Sequence, residues 1–289
     1  MTSAAAGAGG TPPDAGGAAA LRAEAERLRA AHLRAPHLRA AHDGGTPLLL
    51  ANAWDAASAA AFAAAGLDAI ATSSGAISRS LGYSDGEGTP VDEMFAALRR
   101  IVAAARRDGR DVLVTADVEH GYGLDEAELV ARLARVGVVG CNLEDSDPRT
   151  RRMIPTDAQA ARLAALRRAA DEAGTGLVIN ARVDLHVRAD GDERTRLARS
   201  IARAEAYLAA GADCVFPIML AADDDIAAYV RGVPGPVNVM ATHATPPLKR
   251  LAELGVARVS FGSGFHRIAM EAAAAAAARL RAGDDPRPA

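Results

Sequence analysis

The fold is decided by residues 111–144, which read DVLVTADVEHGYGLDEAELVARLARVGVVGCNLE. Two short apolar runs within this stretch, 111–117 and 138–144, are typical of buried β-strands. Residues 124–135 between them form a helical stretch, and Gly137 is suited to end a helix in the left-handed conformation before the next strand begins. A strand, a helix and a second strand in this order predict a βαβ unit with parallel strands.

The same unit recurs on both sides of this stretch, from residue 47 onward. The predicted strands are 47–52, 68–74, 111–117, 138–144, 176–182, 212–218, 236–240 and 257–262. The predicted helices, which are rich in alanine and arginine, are 55–65, 91–107, 124–135, 156–173, 192–210, 222–231, 246–254 and 264–281. Eight units over about 235 residues favour an α/β fold, the TIM (β/α)8 barrel. A doubly wound open sheet is the structural alternative, although no G-x-G-x-x-G motif follows a strand.

The chain before residue 45 lacks this rhythm. Residues 1–18 contain almost no large apolar side chain, so we expect a disordered tail. Residues 19–44 are predicted to be an N-terminal helical segment, interrupted at Pro36. Residues 45–289 are assigned to the barrel and its C-terminal helix.

Composition narrows the possible functions. The 289 residues include 33 Lys and Arg against 36 Asp and Glu, so the net charge is −3 and nothing favours binding to nucleic acid or an anionic membrane. A long uncharged apolar run and a signal peptide are both missing, so we expect a cytoplasmic protein without membrane partners. Cys141 and Cys214 lie in apolar runs, where a small buried hydrophobic role is expected rather than a disulfide framework.

Acidic side chains gather where two neighbouring predicted strands end. Asp117 and Glu119 follow the third strand, and Glu144 and Asp145 follow the fourth. In a TIM barrel these ends share one mouth, where like charges raise each other's pKa unless a cation neutralises them. All-oxygen ligands favour Mg2+, with Mn2+ as an alternative, and we assign Asp117 and Glu144 to the metal because they end their strands. The alternative is helix capping and ion pairing with Arg149, Arg151, Arg152 and Arg182.

Other residues at these strand ends suit an anionic substrate. Arg182 ends the fifth strand, where a guanidinium could hold a carboxylate or phosphonate, unless Asp184 or Glu144 is its partner. A small-residue turn after the second strand could present backbone N–H groups to an anion; it consists of Ser74, Gly75 and Ala76. The loops 75–90 and 145–155 are long enough to act as lids. Asp85 lies in the first, and the second contains three arginines that could close over an anionic substrate, which are Arg149, Arg151 and Arg152. Trp54 and Asn238 complete the predicted substrate-binding set.

Several segments together resemble the isocitrate lyase / phosphoenolpyruvate mutase superfamily. They are NAWDAASAAAFAAAGLDAIATSSGAISRSLGYSDGE (52–87), VTADVEHGYG (114–123), GCNLED (140–145) and INARVD (179–184), and the resemblance extends over about residues 45–280. It implies a Mg2+-dependent TIM barrel that processes 2-oxo or 2-hydroxy acids through enolate-like species. It also implies a homo-oligomer, a dimer or tetramer, in which the last helix is often exchanged between neighbours.

The resemblance also implies roles for individual residues. Asp117 corresponds to the metal-binding aspartate, and Glu144 to a glutamate that binds the metal, usually through water. Asp85 corresponds to an aspartate that borders the metal and the reacting centre. The segment Ser74 to Ala76 corresponds to the one that holds the substrate carboxylate, and Arg182 to an arginine on the substrate's anionic group. The predicted catalytic residues are Asp85, Arg182 and Glu119.

Three departures from the family pattern bear on the reaction. The third strand of relatives often carries Asp-x-Asp, whereas residues 115–117 read Thr-Ala-Asp, so Glu119 is the candidate replacement. Isocitrate-type lyases carry a Lys-Arg-Cys-Gly-His loop after the fourth strand, but residues 147–151 read Asp-Pro-Arg-Thr-Arg. The mutase and phosphonopyruvate hydrolase carry a Lys-Thr pair there, to which Arg149-Thr150 is similar. Ile218 stands where lyases tend to have an acid and the mutase a histidine.

These observations predict a Mg2+-dependent lyase that cleaves a C–C bond of a small 2-oxo or 2-hydroxy carboxylate through a metal-stabilised enolate. Its partner is expected to be a small anionic metabolite. The second hypothesis is C–P chemistry, either phosphoenolpyruvate mutation or phosphonopyruvate hydrolysis. A third is a barrel that binds a metabolite without catalysis.

Overall fold

Parallel strands and surrounding helices make up most of the chain in a computed structural model that describes residues 15–33 and 46–287. The strands are β1 (Leu48–Leu50), β2 (Asn52–Ala53), β3 (Ala69–Thr72), β4 (Leu113–Asp117), β5 (Gly140–Glu144), β6 (Val178–Val183), β7 (Cys214–Pro217), β8 (Asn238–Met240) and β9 (Arg258–Ser260). The helices are α1 (Ala15–His32), α2 (Ala56–Ala64), α3 (Ser74–Leu81), α4 (Val91–Ala105), α5 (Glu126–Val136), α6 (Thr156–Glu172), α7 (Glu193–Ala209), α8 (Asp223–Gly232), α9 (Leu248–Glu253) and α10 (Gly264–Ala282).

The strands close into a ring. Strands β2 to β7 pair in chain order and in parallel, and β1, β9 and β8 pair in a second parallel set. A bridge between Val215 and Val237 joins β7 to the segment before β8, while β1 and β2 are successive parts of one barrel strand. The predicted TIM barrel is therefore confirmed, and the doubly wound alternative is wrong because the strands among the described residues leave no open edge.

Eight of the helices lie within about two residues of their predicted bounds, but α3 was not predicted. It occupies the first half of the predicted loop 75–90. The Ser73 side chain accepts a bond from the Ala76 N–H at 3.3 Å, and Gly82 ends the helix in the left-handed conformation at φ 87°. The segment Ser74 to Ala76 is therefore the first turn of a helix rather than the predicted isolated turn.

Helix α1 covers the amino-terminal ends of the strands. Leu21, Ala25 and Leu28 are buried against Leu113 and Val178, which open β4 and β6. Because α1 begins at Ala15, the predicted tail boundary at residue 18 is wrong by four residues. The rest of that predicted tail, residues 1–14, and the predicted break at Pro36 lie outside the described residues.

The barrel interior agrees with the expectation for the two cysteines. Cys141 and Cys214 are both buried as free thiols, and burial raises their pKa to about 12. Within the part of the chain that the structure describes, no helix is both long and apolar enough to cross a bilayer. The opposite end of the barrel, where the carboxyl ends of the strands meet, carries the polar residues.

Candidate active site

A cavity of about 450 Å³ opens at the carboxyl ends of the barrel strands. Its lining includes four acidic and three basic side chains, which are Asp85, Asp117, Glu119, Glu144, Arg151, Arg182 and Arg188. Ser74 and Gly75 also line it. On the side of β7 and β8 it is bounded by an apolar wall made of Val187, Ile218, Met219 and Met240. The cavity thus combines a charged region with an aliphatic one.

Asp117 ends β4 with one carboxylate oxygen held and the other unpartnered. The Ser74 hydroxyl donates to Oδ2 at 2.7 Å, and the Asp117 backbone N–H donates to the Thr72 hydroxyl at 3.1 Å. Oδ1 is buried and has no hydrogen-bond partner. A buried carboxylate oxygen without a donor calls for a ligand, because leaving it unsatisfied is costly.

Glu144 ends β5 beside Arg182 on β6. Arg182 Nη1 lies 2.7 Å from Glu144 Oε2, and its Nε donates to Asp184 Oδ1, also at 2.7 Å. Burial raises the pKa of Glu144, and the Arg182 guanidinium opposes that rise. Arg182 therefore pairs with both Glu144 and Asp184, the two residues predicted as its alternative partners. Its charge is shared between two carboxylates rather than left free for a substrate.

Glu119 lies just beyond the end of β4, and its side chain is almost fully buried. Its backbone is left-handed, with φ 50°, a rare conformation for a residue other than glycine. Burial and then the negative charge of Asp117 raise the pKa of Glu119 to about 7. A second carboxylate therefore lines the cavity beside Asp117, and it belongs to Glu119, the candidate replacement for the residue missing from the Asp-x-Asp pattern.

Asp85 lies in the segment between α3 and α4, and its residue is exposed. Its carboxylate rests against the first turn of α3, since a β-carbon added to Gly75 would lie 2.6 Å from Asp85 Oδ2. Glycine is thus required at position 75 for this close approach. The carboxylate and the first turn of α3 form one side of the cavity.

Comparison with known proteins identifies the family. Residues 38–281 match the model of the family described as Phosphoenolpyruvate phosphomutase. The chain belongs to the isocitrate lyase / phosphoenolpyruvate mutase superfamily. Its relatives are lyases and mutases, and the chain is an enzyme of this type.

Individual relatives in this superfamily cover most or part of the chain. Rv1998c of Mycobacterium tuberculosis strain H37Rv, an uncharacterised protein, is 35% identical over 245 residues, 84% of this chain and 88% of its own. Probable 2-methylisocitrate lyase 1 of Corynebacterium glutamicum is 33% identical over 177 residues, 59% of this chain and 54% of its own. A crystal structure from Burkholderia cenocepacia J2315, provisionally assigned as a phosphonomutase, gives a TM-score of 0.78 at 42% identity, over 87% of this chain and 98% of that one.

The superfamily metal can be tested against the donors that this chain provides. Within residues 15–33 and 46–287, no group of three or more His, Cys, Asp or Glu side chains is arranged to hold an ion. The unpartnered Oδ1 of Asp117 is nevertheless a free anionic oxygen in a cavity with three further carboxylates. Mg2+ commonly binds through one or two carboxylates and keeps several waters. The residues fit a divalent cation bound in that way.

Four predicted substrate-binding residues do not line the cavity. Trp54 packs against Phe62 and His266, with ring centroids 6.3 and 5.2 Å apart respectively. Ala76 is fully buried within α3, Arg149 is exposed outside the cavity, and Asn238 lies inside the barrel. The carboxylate of Asp145 also turns away, because Arg203 and Tyr207 bond it at 2.9 and 2.7 Å.

Several lining residues were not assigned to the site from the sequence. Arg188 is one of them and donates to the Ser146 hydroxyl at 2.9 and 3.1 Å. Of the three arginines in loop 145–155 that were expected to close over the substrate, Arg151 lines the cavity, whereas Arg149 and Arg152 do not. Met219 has φ 66°, a conformation that sequence patterns do not reveal for methionine. Arg188 follows Arg182 by six residues, but this spacing alone carries no signal.

Proposed function

We propose that the chain is a Mg2+-dependent lyase that cleaves a C–C bond in a small 2-oxo or 2-hydroxy carboxylate. The observation that carries this proposal is the division of the cavity. The free oxygen of Asp117 and the first turn of α3 occupy one side, and the apolar wall lies on the side of β7 and β8. An aliphatic wall suits the carbon skeleton of a departing fragment.

The charged side of the cavity provides the binding determinants. A divalent cation bound there would supply Lewis-acid stabilisation of negative charge on the 2-oxygen of the substrate. Asp117 would hold that cation through Oδ1, while Ser74 fixes the orientation of the carboxylate through Oδ2. The backbone N–H of Gly75 would bind the substrate carboxylate at the start of α3, where helix geometry favours an anion, while the Ser74 N–H donates to Asp117 Oδ2 at 3.4 Å.

Asp85 is the residue that we assign to proton transfer. For a 2-hydroxy acid, Asp85 takes the hydroxyl proton, the hydroxyl carbon becomes a carbonyl, and the adjacent C–C bond breaks. The electron pair of that bond passes to the departing fragment as an enolate, to which Asp85 returns the proton. Its exposed carboxylate on the cavity rim and its contact with Gly75 support this assignment.

We further propose that Arg188 and Arg151 bind a second carboxylate of the substrate. Arg182 is held by Glu144 and Asp184, so its charge is already largely compensated. Arg188 lines the cavity and donates to the neutral Ser146 hydroxyl at 2.9 Å, and its ion pair with Asp184, at 3.5 Å, is longer than the 2.7 Å pair that Arg182 makes with the same carboxylate. Two arginines near one mouth favour a dicarboxylate over a monocarboxylate.

A substrate panel with Mg2+ tests the proposal. The panel contains oxaloacetate, isocitrate, 2-methylisocitrate, 2,3-dimethylmalate and phosphonopyruvate, with products followed by mass spectrometry and by phosphorus NMR for the last. We expect cleavage of at least one dicarboxylate, and a loss of at least about 100-fold in kcat for Asp85→Asn. Turnover of no dicarboxylate, or a fully active Asp85→Asn, would contradict the proposal.

C–P chemistry is the second candidate. It is favoured by the 42% identity to the Burkholderia cenocepacia structure provisionally assigned as a phosphonomutase. The pair Arg149-Thr150 is similar to the Lys-Thr pair of the mutase, although Arg149 is exposed outside the cavity. Turnover of phosphonopyruvate alone in the same panel would replace the C–C proposal with this one.

A homo-oligomer is proposed from the surface of α10. This helix contains no buried residue, and Ile268, Met270 and Leu280 are 59%, 48% and 64% exposed. A groove of about 580 Å³ runs beside it. Several exposed large apolar side chains on one helix are typical of a subunit interface. Light scattering should give a dimer or tetramer, and Ile268→Glu should lower that mass; a monomeric wild-type protein would contradict this.

A further inference from the structure

Left-handed backbone is concentrated around the cavity. Seven residues other than glycine have positive φ among the described residues, and three of them face one another across two loops. They are Glu87 (φ 61°), Glu119 (φ 50°) and Tyr122 (φ 56°). Such conformations persist only where the surroundings over-determine them, and they cluster at functional sites. The contacts among these three residues are therefore informative.

Hydrogen bonds run in both directions between the two loops. The Glu87 backbone N–H donates to Glu119 Oε2, and the Tyr122 backbone N–H donates to Glu87 Oε1 at 2.6 Å. The Tyr122 hydroxyl donates to Glu119 Oε1 at 3.0 Å. Each glutamate side chain thus accepts from the opposite loop, and both oxygens of Glu119 are occupied. We call this set of three residues the Glu87 latch.

The latch connects the Asp85 loop, residues 82–90, to the strand ends that carry the charged site. The Glu119 carbonyl accepts from the Glu144 N–H at 2.9 Å, so the latch continues to the end of β5. On its other side, the Thr89 hydroxyl donates to the Ser78 hydroxyl at 2.7 Å. Asp85 lies two residues before Glu87, between this anchor and α3. Its position on the cavity rim therefore depends on both ends of the loop.

We propose that Glu87 is a positioning residue, which holds the Asp85 loop against the end of β4 so that the Asp85 carboxylate faces the cavity. The role given to Asp85 rests on the proposed function, whereas the latch itself is a statement about loop geometry. Glu119 belongs to the latch, because its two oxygens bind the loop and the tyrosine rather than the cavity contents. The latch thus gives Glu119 a positioning role in place of the predicted catalytic one.

The carboxylate of Glu87 provides the acceptor on which the latch depends. Glu87→Ala removes the acceptor for the Tyr122 N–H, whereas Glu87→Gln keeps an oxygen at the same position. Tyr122→Phe removes only the hydroxyl bond to Glu119, so it should have a smaller effect. Glu93→Ala is the matched control, because it removes a different bond to the same loop, which is the 2.7 Å contact from the Tyr83 hydroxyl.

Amide hydrogen exchange measures the latch without any substrate. In Glu87→Ala we expect exchange at Tyr122 and across residues 84–88 to rise about tenfold, the loss of one net hydrogen bond. Glu87→Gln and Glu93→Ala should stay within about threefold of the wild type at Tyr122, with Tyr122→Phe in between. Unchanged exchange at Tyr122 in Glu87→Ala would overturn the latch, whatever the substrate panel shows.

Steady-state kinetics on the active substrate separate positioning from simple structural support. Displacing Asp85 should lower kcat of Glu87→Ala about tenfold or more while KM changes by less than about threefold, and Glu87→Gln should recover most of the rate. Equal losses in Glu87→Gln and Glu87→Ala, or a loss confined to KM, would refute the positioning role. Failure of the proposed function would instead appear as inactivity of the wild type with the exchange pattern intact.

Discussion

Replacing Gly75 with alanine makes an added methyl group and the Asp85 carboxylate compete for one space. A β-carbon at this position lies 2.6 Å from Asp85 Oδ2, 2.9 Å from its Cγ and 3.1 Å from its Oδ1. Ordinary contacts between such atoms begin at about 3.5 Å, so the carboxylate must move by about 1 Å. The backbone conformation is compatible with alanine, because Gly75 lies in α3 and its φ is not in the left-handed region.

Stability and activity are expected to move in opposite directions in this variant. Glycine to alanine in a helix stabilises a protein by about 0.5–1 kcal/mol, an increase of roughly 1–4 °C in Tm for a domain of this size. The displaced side chain is flexible and reaches solvent, so its movement costs little. A displacement of about 1 Å at a reacting group, however, lowers kcat about 100-fold.

The assay compares Tm by scanning calorimetry with kcat on the active substrate. Gly264→Ala is the control, because it also adds a methyl group to a helical glycine but meets its nearest atom, Phe261 Cβ, at 3.7 Å. We expect the control to keep the wild-type kcat and to show a similar small rise in Tm. Wild-type kcat in Gly75→Ala would show that Asp85 does not need its observed position, and a large fall in Tm would show that the loop cannot yield. Either result would refute the reasoning.

Three further predictions concern metal binding, acid stability and substrate binding. Ser74→Ala removes the donor to Asp117 Oδ2 and should weaken Mg2+ binding about tenfold or more by calorimetry, with the fold unchanged. His32 is fully buried, and burial is the main reason that its pKa is lowered to about 3. The stability that the neutral side chain gives the folded state is therefore present above pH 6.5 and is lost as the pH falls toward 3. Between pH 7.5 and pH 5, the free energy of unfolding should therefore fall by about 2 kcal/mol less in His32→Leu than in the wild type, as measured by urea titration. An equal fall in the two proteins would contradict the assignment. Arg188→Met should raise KM about tenfold for a dicarboxylate with kcat nearly constant, and an unchanged KM would exclude Arg188 as a substrate contact.

The barrel could be predicted because each βα unit is indicated by the periodicity of its apolar residues, which is a local property of the sequence. Helix α3 was not predicted, because its sequence, SGAISRSL, is short and rich in serine and glycine, residues that favour turns. Only its caps identify it, Ser73 at one end and Gly82 at the other. This stretch, which was predicted to be a loop, therefore places Ser74 and Gly75 on a helix.

The charged half of the site followed from strand order, but the remaining contacts depend on side-chain direction. Asp55 caps α2 and leaves Trp54 packed between that helix and α10 rather than at the cavity. Asn238 lies in the barrel interior, bonded to Ser260 at 3.2 Å, while Met240 at the end of the same strand reaches the cavity. Left-handed residues such as Met219 have no sequence signature, because only tertiary contacts hold them there.

Helix α1 has a consequence for the order in which the protein is made. It is synthesised before every strand that it covers, and the last of its apolar partners, Val178, follows His32 by about 150 residues, or roughly 8–30 s of translation. During that interval, Leu21 and Leu28 lack the strand residues against which they pack in the folded protein. A nascent chain therefore exposes an apolar helix until the barrel is more than half complete, and chaperones or tags that occupy this helix would compete directly with barrel closure.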